Sequence, residues 1–120
     1  MTKDYREITR SVSASLSKFR TTQPDIMKGF NALSSASLRD GALSEKTKEL
    51  MALAIGVAER CDACIGFHVR TLVRLGVTRA ELEETLGVCV YMGGGPSLMY
   101  AAEALAAYEQ FAATKEAVPT

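Results

Sequence analysis

Two cysteines and the only histidine of this 120-residue chain lie within one stretch of eight residues. Cys61 and Cys64 form a CxxC pair, and His68 follows Cys64 by four residues. If a helix begins near Asp62, this spacing places both thiols and the imidazole on one helical face. A thiol near a helix N-terminus is stabilised as the reactive thiolate, and a nearby imidazole can accept its proton. The pattern therefore indicates thiol chemistry on a helix.

Glu49 is placed to complete a proton relay with these groups. It precedes Cys61 by twelve residues, on the helix expected before the cysteines. If the two helices pack antiparallel, its carboxylate can hold the imidazole in one tautomer, directly or through a water. A sulfenic acid on one cysteine would then be trapped by the other as a disulfide. We therefore predict that Glu49, Cys61, Cys64 and His68 are catalytic.

The spacing of apolar residues predicts about six helices and no strand. The local signals that begin or end these helices are, in chain order, Asp4, Pro24, Ser44, Asp62, Gly76, a TxxE capping box at Thr78 and Glu81, and the turn at residues 93–96. The final residues, 115–120, are expected to fray. We predict an all-α single domain over residues 1–120, with a central antiparallel helix pair that carries the CxxC motif.

Composition restricts the partners and the compartment. The chain has 14 basic and 14 acidic residues, so no net charge draws it to nucleic acid or to an anionic membrane. A neutral surface leaves self-association unopposed, and we expect a homo-oligomer. The charged start lacks a signal segment, and the longest apolar run is about half a membrane span. We predict a cytoplasmic protein whose thiols are reduced at rest, which leaves transient redox chemistry or metal binding for the CxxC pair.

The same residues also admit structural explanations. Cys61, Cys64 and His68 could bind zinc with Glu49 as a fourth ligand, but ligands crowded onto one helix are unlike the common zinc arrangements. We therefore predict no metal. Cys89 lies in an apolar run and is expected to be an inert core thiol. Four methionines are expected to fill gaps in the core, namely Met27, Met51, Met92 and Met99.

The spacing of Glu49, Cys61, Cys64 and His68 resembles the signature of the alkyl hydroperoxidase D-like branch of the carboxymuconolactone decarboxylase-like family. The resemblance covers residues 43–111, including the alanine-rich segment after Pro96. It implies an all-α homo-oligomer, a trimer or a hexamer, with no flavin, haem or metal cofactor. It also implies reduction of hydrogen peroxide or organic hydroperoxides through the cysteine pair. The reductant it implies is a dithiol partner such as a lipoylated protein.

Two departures from the family pattern affect what the resemblance implies. The best-known peroxidases of the branch have a histidine just before the second cysteine, where this chain has Ala63. The decarboxylases of the family, which act on a lactone, generally lack the cysteine pair, so the CxxC motif argues against that substrate. The helix dipole favours Cys61 as the attacking thiol, whereas the resemblance and the proximity of His68 favour Cys64. The alternative functions are a disulfide reductase and a redox-responsive binding module.

Overall fold

The computed structural model describes the backbone of residues 3–117 and the side chains of residues 3–113. This part of the chain contains six helices and no strand, which confirms the predicted all-α class. The helices are α1 Tyr5–Thr22, α2 Pro24–Leu38, α3 Glu45–Ala58, α4 Asp62–Arg74, α5 Arg79–Gly93 and α6 Gly95–Ala117. Helix α6 thus includes residues 115–117, which we had expected to fray, and residues 118–120 lie outside the described range.

Local capping signals account for the starts of α1 and α5. Asp4 accepts hydrogen bonds from the backbone N–H groups of the first turn of α1. Before α5, the Thr78 hydroxyl accepts from the Glu81 N–H at 3.1 Å, and the Glu81 carboxylate accepts from the Thr78 N–H at 2.9 Å. This reciprocal arrangement satisfies two N–H groups that a helix N-terminus leaves unpaired. The predicted capping box is therefore confirmed.

Helix α4 packs against α1, α3 and α6. Its buried residues, together with those of its neighbours, form one hydrophobic core. The fully buried members of this core are Tyr5, Leu53, Val57, Ile65, Val69, Leu72, Leu82, Ala104 and Ala107. The alanines of α6 are small, which allows its axis to approach α4 closely. The buried face of α4 is therefore packed against three other helices.

The start of α1 is held on α4 by a polar network around Tyr5, which is itself fully buried. The Tyr5 hydroxyl donates to the carboxylates of Asp62 and Glu103, whose nearest oxygens lie 3.1 and 3.0 Å away. Lys3 forms an ion pair with Asp62 at 2.9 Å. Burial and the hydrogen bond to Glu103 raise the pKa of Tyr5 well above its ordinary value of 10.0. Asp62 is the first residue of α4, so this network fixes the N-terminus of the helix that follows the first cysteine.

Helix α2 leaves most of its apolar side chains exposed. Its apolar residues Ile26, Phe30 and Leu33 are 57–64% exposed, and Met27 is its one buried residue. Other large apolar side chains on α3, α5 and α6 are also exposed. The prediction that the methionines fill core gaps is right for Met27, and it is wrong for the three exposed ones, Met51, Met92 and Met99. Helical periodicity identifies an apolar face, but it does not tell whether the same chain covers that face.

No helix within residues 3–117 combines the length and the apolarity that a membrane crossing requires.

Replacing Tyr5 with phenylalanine tests the anchoring of α1. The substitution removes a donor shared by two carboxylates, so we expect the free energy of unfolding to fall by about 1–2 kcal/mol. Tyr108 is the matched control, because it is partly buried against the same core and its hydroxyl has no hydrogen bond among the described residues. Urea unfolding of Tyr5→Phe and Tyr108→Phe measures the difference, and equal stabilities would show that the network contributes nothing.

Candidate functional site

The two cysteines lie at the junction between α3 and α4. The backbone N–H of Cys61 donates to Gly56 O at 3.0 Å, and the N–H of Arg60 donates to Val57 O at 3.1 Å. These two bonds form a Schellman motif, which ends α3 with Arg60 in the left-handed region at φ 58°. Cys61 then becomes the N-cap of α4, and its carbonyl accepts from the Ile65 N–H at 2.9 Å. One residue therefore ends one helix and begins the next.

Cys61 and Cys64 are joined by a disulfide, with their Cα atoms 5.2 Å apart. The Cys64 N–H lies 3.2 Å from Cys61 Sγ and donates to it, so the first sulfur occupies the position of a capping oxygen. Both sulfurs consequently lie in the first turn of α4. There the positive end of the helix dipole and the unpaired N–H groups stabilise a thiolate once the disulfide is reduced.

Glu49 and His68 are in direct contact. His68 Nδ1 lies 2.6 Å from Glu49 Oε1, and the Glu49 side chain is only 4% exposed whereas that of His68 is 29% exposed. An ionised carboxylate can only accept, so Glu49 holds the proton on Nδ1 and leaves Nε2 available to accept another. The predicted relay contact is thus present, without an intervening water.

The antiparallel packing of α3 on α4 depends on Gly56. A Cβ atom at this position would lie 3.1 Å from the Cβ of Cys64, which is closer than ordinary van der Waals contact. A residue larger than glycine would therefore have to displace its neighbour at this point of the helix pair. Glu49 contacts His68 near one end of the pair, and Gly56 faces Cys64 near the other. An earlier residue of α3 meets a later residue of α4 in these contacts, which confirms that the helices run antiparallel.

A pocket of about 250 Å³ opens above the disulfide, and we call it the disulfide pocket. Cys61, Cys64 and His68 line it on the side of α4. The opposite wall comes from one face of α3 and the residue that follows it, namely Ala52, Ile55, Gly56 and Glu59. Sequence reasoning did not assign these wall residues to the site. Their spacing of three, four and seven positions is the signal that could have found them.

The structure therefore brings together the four predicted site residues, although in two layers. The disulfide and His68 reach the pocket, whereas Glu49 lies behind His68 and does not line the pocket. Among the described residues, no group of three or more His, Cys, Asp or Glu side chains is arranged to hold a metal ion.

Cys89 is separate from this site. It is buried, it is not in a disulfide, and its sulfur lies 3.4 Å from the carbonyl oxygen of Thr85 on the preceding turn of α5. Burial raises the pKa of the Cys89 thiol above its ordinary value of 9.0. A raised pKa reduces the thiolate population, as expected for the core thiol predicted from the sequence.

The fold and the site together define a class of all-α proteins in which a helical hairpin carries a CxxC disulfide. The chain belongs to the carboxymuconolactone decarboxylase family, whose profile matches residues 24–107.

Several relatives and solved structures are similar to this chain over most of its length. A carboxymuconolactone decarboxylase family protein from Legionella pneumophila is 57% identical, with a TM-score of 0.89, over 90% of this chain and 96% of its own. A family member from Thermotoga maritima, described with a possible involvement in antioxidative response, is 33% identical with a TM-score of 0.70, over 77% and 95%. An uncharacterized protein of Cupriavidus necator is 36% identical over 91% of this chain and 96% of its own.

Alanine substitutions at two glycines test the close approach of α3 to α4. Gly87 lies on an exposed part of α5, where a Cβ meets nothing within 4 Å, so Gly87→Ala should stabilise the protein by about 1 kcal/mol. At Gly56 the same gain in helix propensity is opposed by overpacking against Cys64, which typically costs about 1–3 kcal/mol. We expect Gly56→Ala to be less stable than Gly87→Ala by about that amount in urea unfolding. Equal stabilities of the two variants would mean that α3 and α4 can move apart at little cost in free energy.

Proposed function

We propose that the protein is a thiol-dependent peroxidase of the alkyl hydroperoxidase D-like branch of its family. In this proposal it reduces hydrogen peroxide or organic hydroperoxides through Cys61 and Cys64. The observation that carries the proposal is the placement of a CxxC pair in the first turn of a helix, beside a histidine paired with a buried carboxylate. The description of the Thermotoga maritima relative points in the same direction.

The chemistry begins with the reduced protein. His68 Nε2 accepts the proton of the Cys64 thiol, and the resulting thiolate attacks one oxygen of the hydroperoxide. The O–O bond breaks, Cys64 becomes a sulfenic acid, and the departing alkoxide takes the proton from His68 to leave as an alcohol. Glu49 stabilises the imidazolium while it holds the proton. The substrate is thereby reduced by two electrons, which the sulfur supplies.

The second step forms the disulfide. The sulfur of Cys61 attacks the sulfenic acid of Cys64, and the hydroxyl group leaves as water with the thiol proton of Cys61. A dithiol partner then restores the two thiols by exchange, giving two electrons and two protons and becoming a disulfide itself. A lipoylated protein fits this role because its two thiols close an intramolecular ring. The structure contains the Cys61–Cys64 disulfide, which is the oxidised state of this cycle.

We assign the attack on the peroxide to Cys64. It lies one helical turn before His68, so the imidazole is on the same face and close to its thiol. Cys61 then resolves the intermediate and meets the reductant. Its sulfur is the N-cap that accepts the Cys64 N–H, which stabilises the negative charge that develops as the Cys61 thiol gives up its proton.

The exposed apolar residues support the homo-oligomer that the sequence predicts. Side chains such as Phe30, Ile55 and Met92 are at least 60% exposed, and the chain has no net charge. We propose that copies of this chain cover these surfaces, in a trimer or a hexamer. The mass of the native particle in solution tests this part of the proposal, and a monomer would contradict it.

Intact mass spectrometry tests the redox cycle. One equivalent of hydroperoxide added to the reduced protein should remove two hydrogen atoms per chain, and a dithiol should restore them. Peptide mapping should place the bond between Cys61 and Cys64. An unchanged mass would remove the basis of the peroxidase proposal, while turnover with disulfide substrates alone would favour a disulfide reductase.

Serine substitutions test which cysteine attacks. Cys61→Ser should accumulate a stoichiometric sulfenic acid on Cys64 after one equivalent of hydroperoxide, because the resolving thiol is absent. Cys64→Ser should form no sulfenic acid over the same period. A sulfenic acid trap followed by mass spectrometry measures both variants, and the reverse pattern would assign the attack to Cys61.

Replacement of the relay residues tests their part in catalysis. Glu49→Gln and His68→Gln should each lower the rate of hydroperoxide consumption, His68→Gln by about 100-fold or more, since His68 carries the proton and Glu49 stabilises the imidazolium. Glu84→Gln, a carboxylate exposed on α5, is the matched control and should keep the original rate. Far-ultraviolet circular dichroism establishes that each variant is folded. Full activity in both relay variants would exclude the relay.

A further inference from the structure

Glu49 borders a second pocket, on the side of the relay away from the disulfide. This cavity of about 450 Å³ lies between the end of α2, the loop after it, the start of α3 and the end of α4. Glu49 forms part of its wall, whereas His68 does not. We call it the polar pocket, and its other polar lining residues include Ser34, Arg39, Asp40, Glu45, Thr71 and Arg74. The Glu49–His68 pair therefore separates two cavities that share no lining residue.

The second carboxylate oxygen of Glu49 is accessible from the polar pocket. Oε1 is hydrogen-bonded to His68, and no described residue donates to Oε2. Among the described side chains, no fully buried polar atom lacks a hydrogen-bond partner. Oε2 is therefore in contact with solvent, although the Glu49 residue as a whole is only 3% exposed. Because Glu49 lines the polar pocket and not the disulfide pocket, its contact with solvent is through the polar pocket.

The lining of the polar pocket favours water over a charged ligand. Arg39 and Arg74 contribute two positive charges, and Asp40, Glu45 and Glu49 contribute negative ones, so the walls attract neither anions nor cations strongly. Hydroxyl groups from α2 and α4 add neutral donors and acceptors. A water molecule occupies about 30 Å³ in the liquid and needs two to four polar partners. The volume and the lining are sufficient for a connected chain of water molecules.

We propose that the polar pocket is the route by which the Glu49–His68 relay exchanges protons with solvent. This inference rests on the proposed function, in which the pair carries a proton to and from the thiol. Outward transfer begins when His68 Nε2 receives a proton and Nδ1 passes its own to Glu49 Oε1. A half-turn of the carboxyl group about its Cγ–Cδ bond presents that proton to the polar pocket, where water accepts it. Inward transfer follows the same steps in reverse.

This route separates protons from substrate. A hydroperoxide or a dithiol can fill the disulfide pocket and exclude water from the sulfurs while the relay stays connected to solvent through Glu49. Thr71 and Ser34, on opposite walls of the polar pocket, then act as positioning residues, because they face the water and do not touch the reacting atoms.

Proton exchange at His68 tests the route directly. The chain has one histidine, so selective ¹⁵N-histidine labelling gives a single imidazole whose Nδ1–H exchange with water can be measured by magnetisation transfer. The measurement uses the oxidised protein, without peroxide or thiol. Thr71→Leu and Ser34→Leu fill the polar pocket from α4 and from α2, and each is expected to slow the exchange at least fivefold. Ala52→Leu fills the disulfide pocket instead and is expected to leave the exchange rate within twofold.

The outcomes separate this inference from the proposed function. Slower exchange in both polar-pocket variants, with Ala52→Leu unaffected, supports the route even in a protein that proves to have no peroxidase activity. Unchanged exchange in a folded Ser34→Leu, or slowing confined to Ala52→Leu, overturns it even if the wild-type protein consumes hydroperoxide. Ser34 lies on a different helix from His68, so its variant guards against a direct effect of Thr71 substitution on the imidazole.

Discussion

The close approach of α3 to α4 at Gly56 is the constraint on which the site depends. With no side chain at this position, the backbone of α3 lies against the Cβ of Cys64. The same approach places Glu49, seven residues before Gly56 on α3, within hydrogen-bond distance of His68, which lies four residues after Cys64 on α4. A wider separation would break the carboxylate–imidazole contact and open the back of the disulfide pocket. One missing methyl group thus sets the geometry of both layers of the site.

The hairpin is held in place by its neighbours rather than by its own contacts alone. Tyr5, Asp62 and Glu103 connect α1, the start of α4 and α6, and the disulfide begins one residue before Asp62. The core of α4 is packed against three other helices. The first turn of α4 is therefore held in a defined position where the chemistry requires one, while the exposed large apolar side chains of the helices lie on α1, α2, α3, α5 and α6.

Local features of this fold were predictable from the sequence, and long-range ones were not. Capping at Ser44 and Thr78, the helix from Asp62 and the common face of the CxxC pair and His68 all depend on residues within seven positions of each other. The Tyr5 network joins residues 57 and 98 positions apart, which no spacing reveals. The polar pocket likewise needs three separate segments to meet. The left-handed backbone conformation of Arg60 was not predictable either, because that position after a helix is usually recognised by a glycine or an asparagine.

The three-residue connection between α3 and α4 also determines how this hairpin can vary. Each residue of an α-helix turns the chain by about 100°. Adding or removing one residue between Ala58 and Asp62 would rotate α4 by that angle relative to α3, and His68 would then face away from Glu49. The Schellman bond from Cys61 to Gly56 O depends on the same count of residues. Cys61 is required in this turn for the disulfide, and the length of the turn is fixed by the need to keep a carboxylate and an imidazole on facing surfaces.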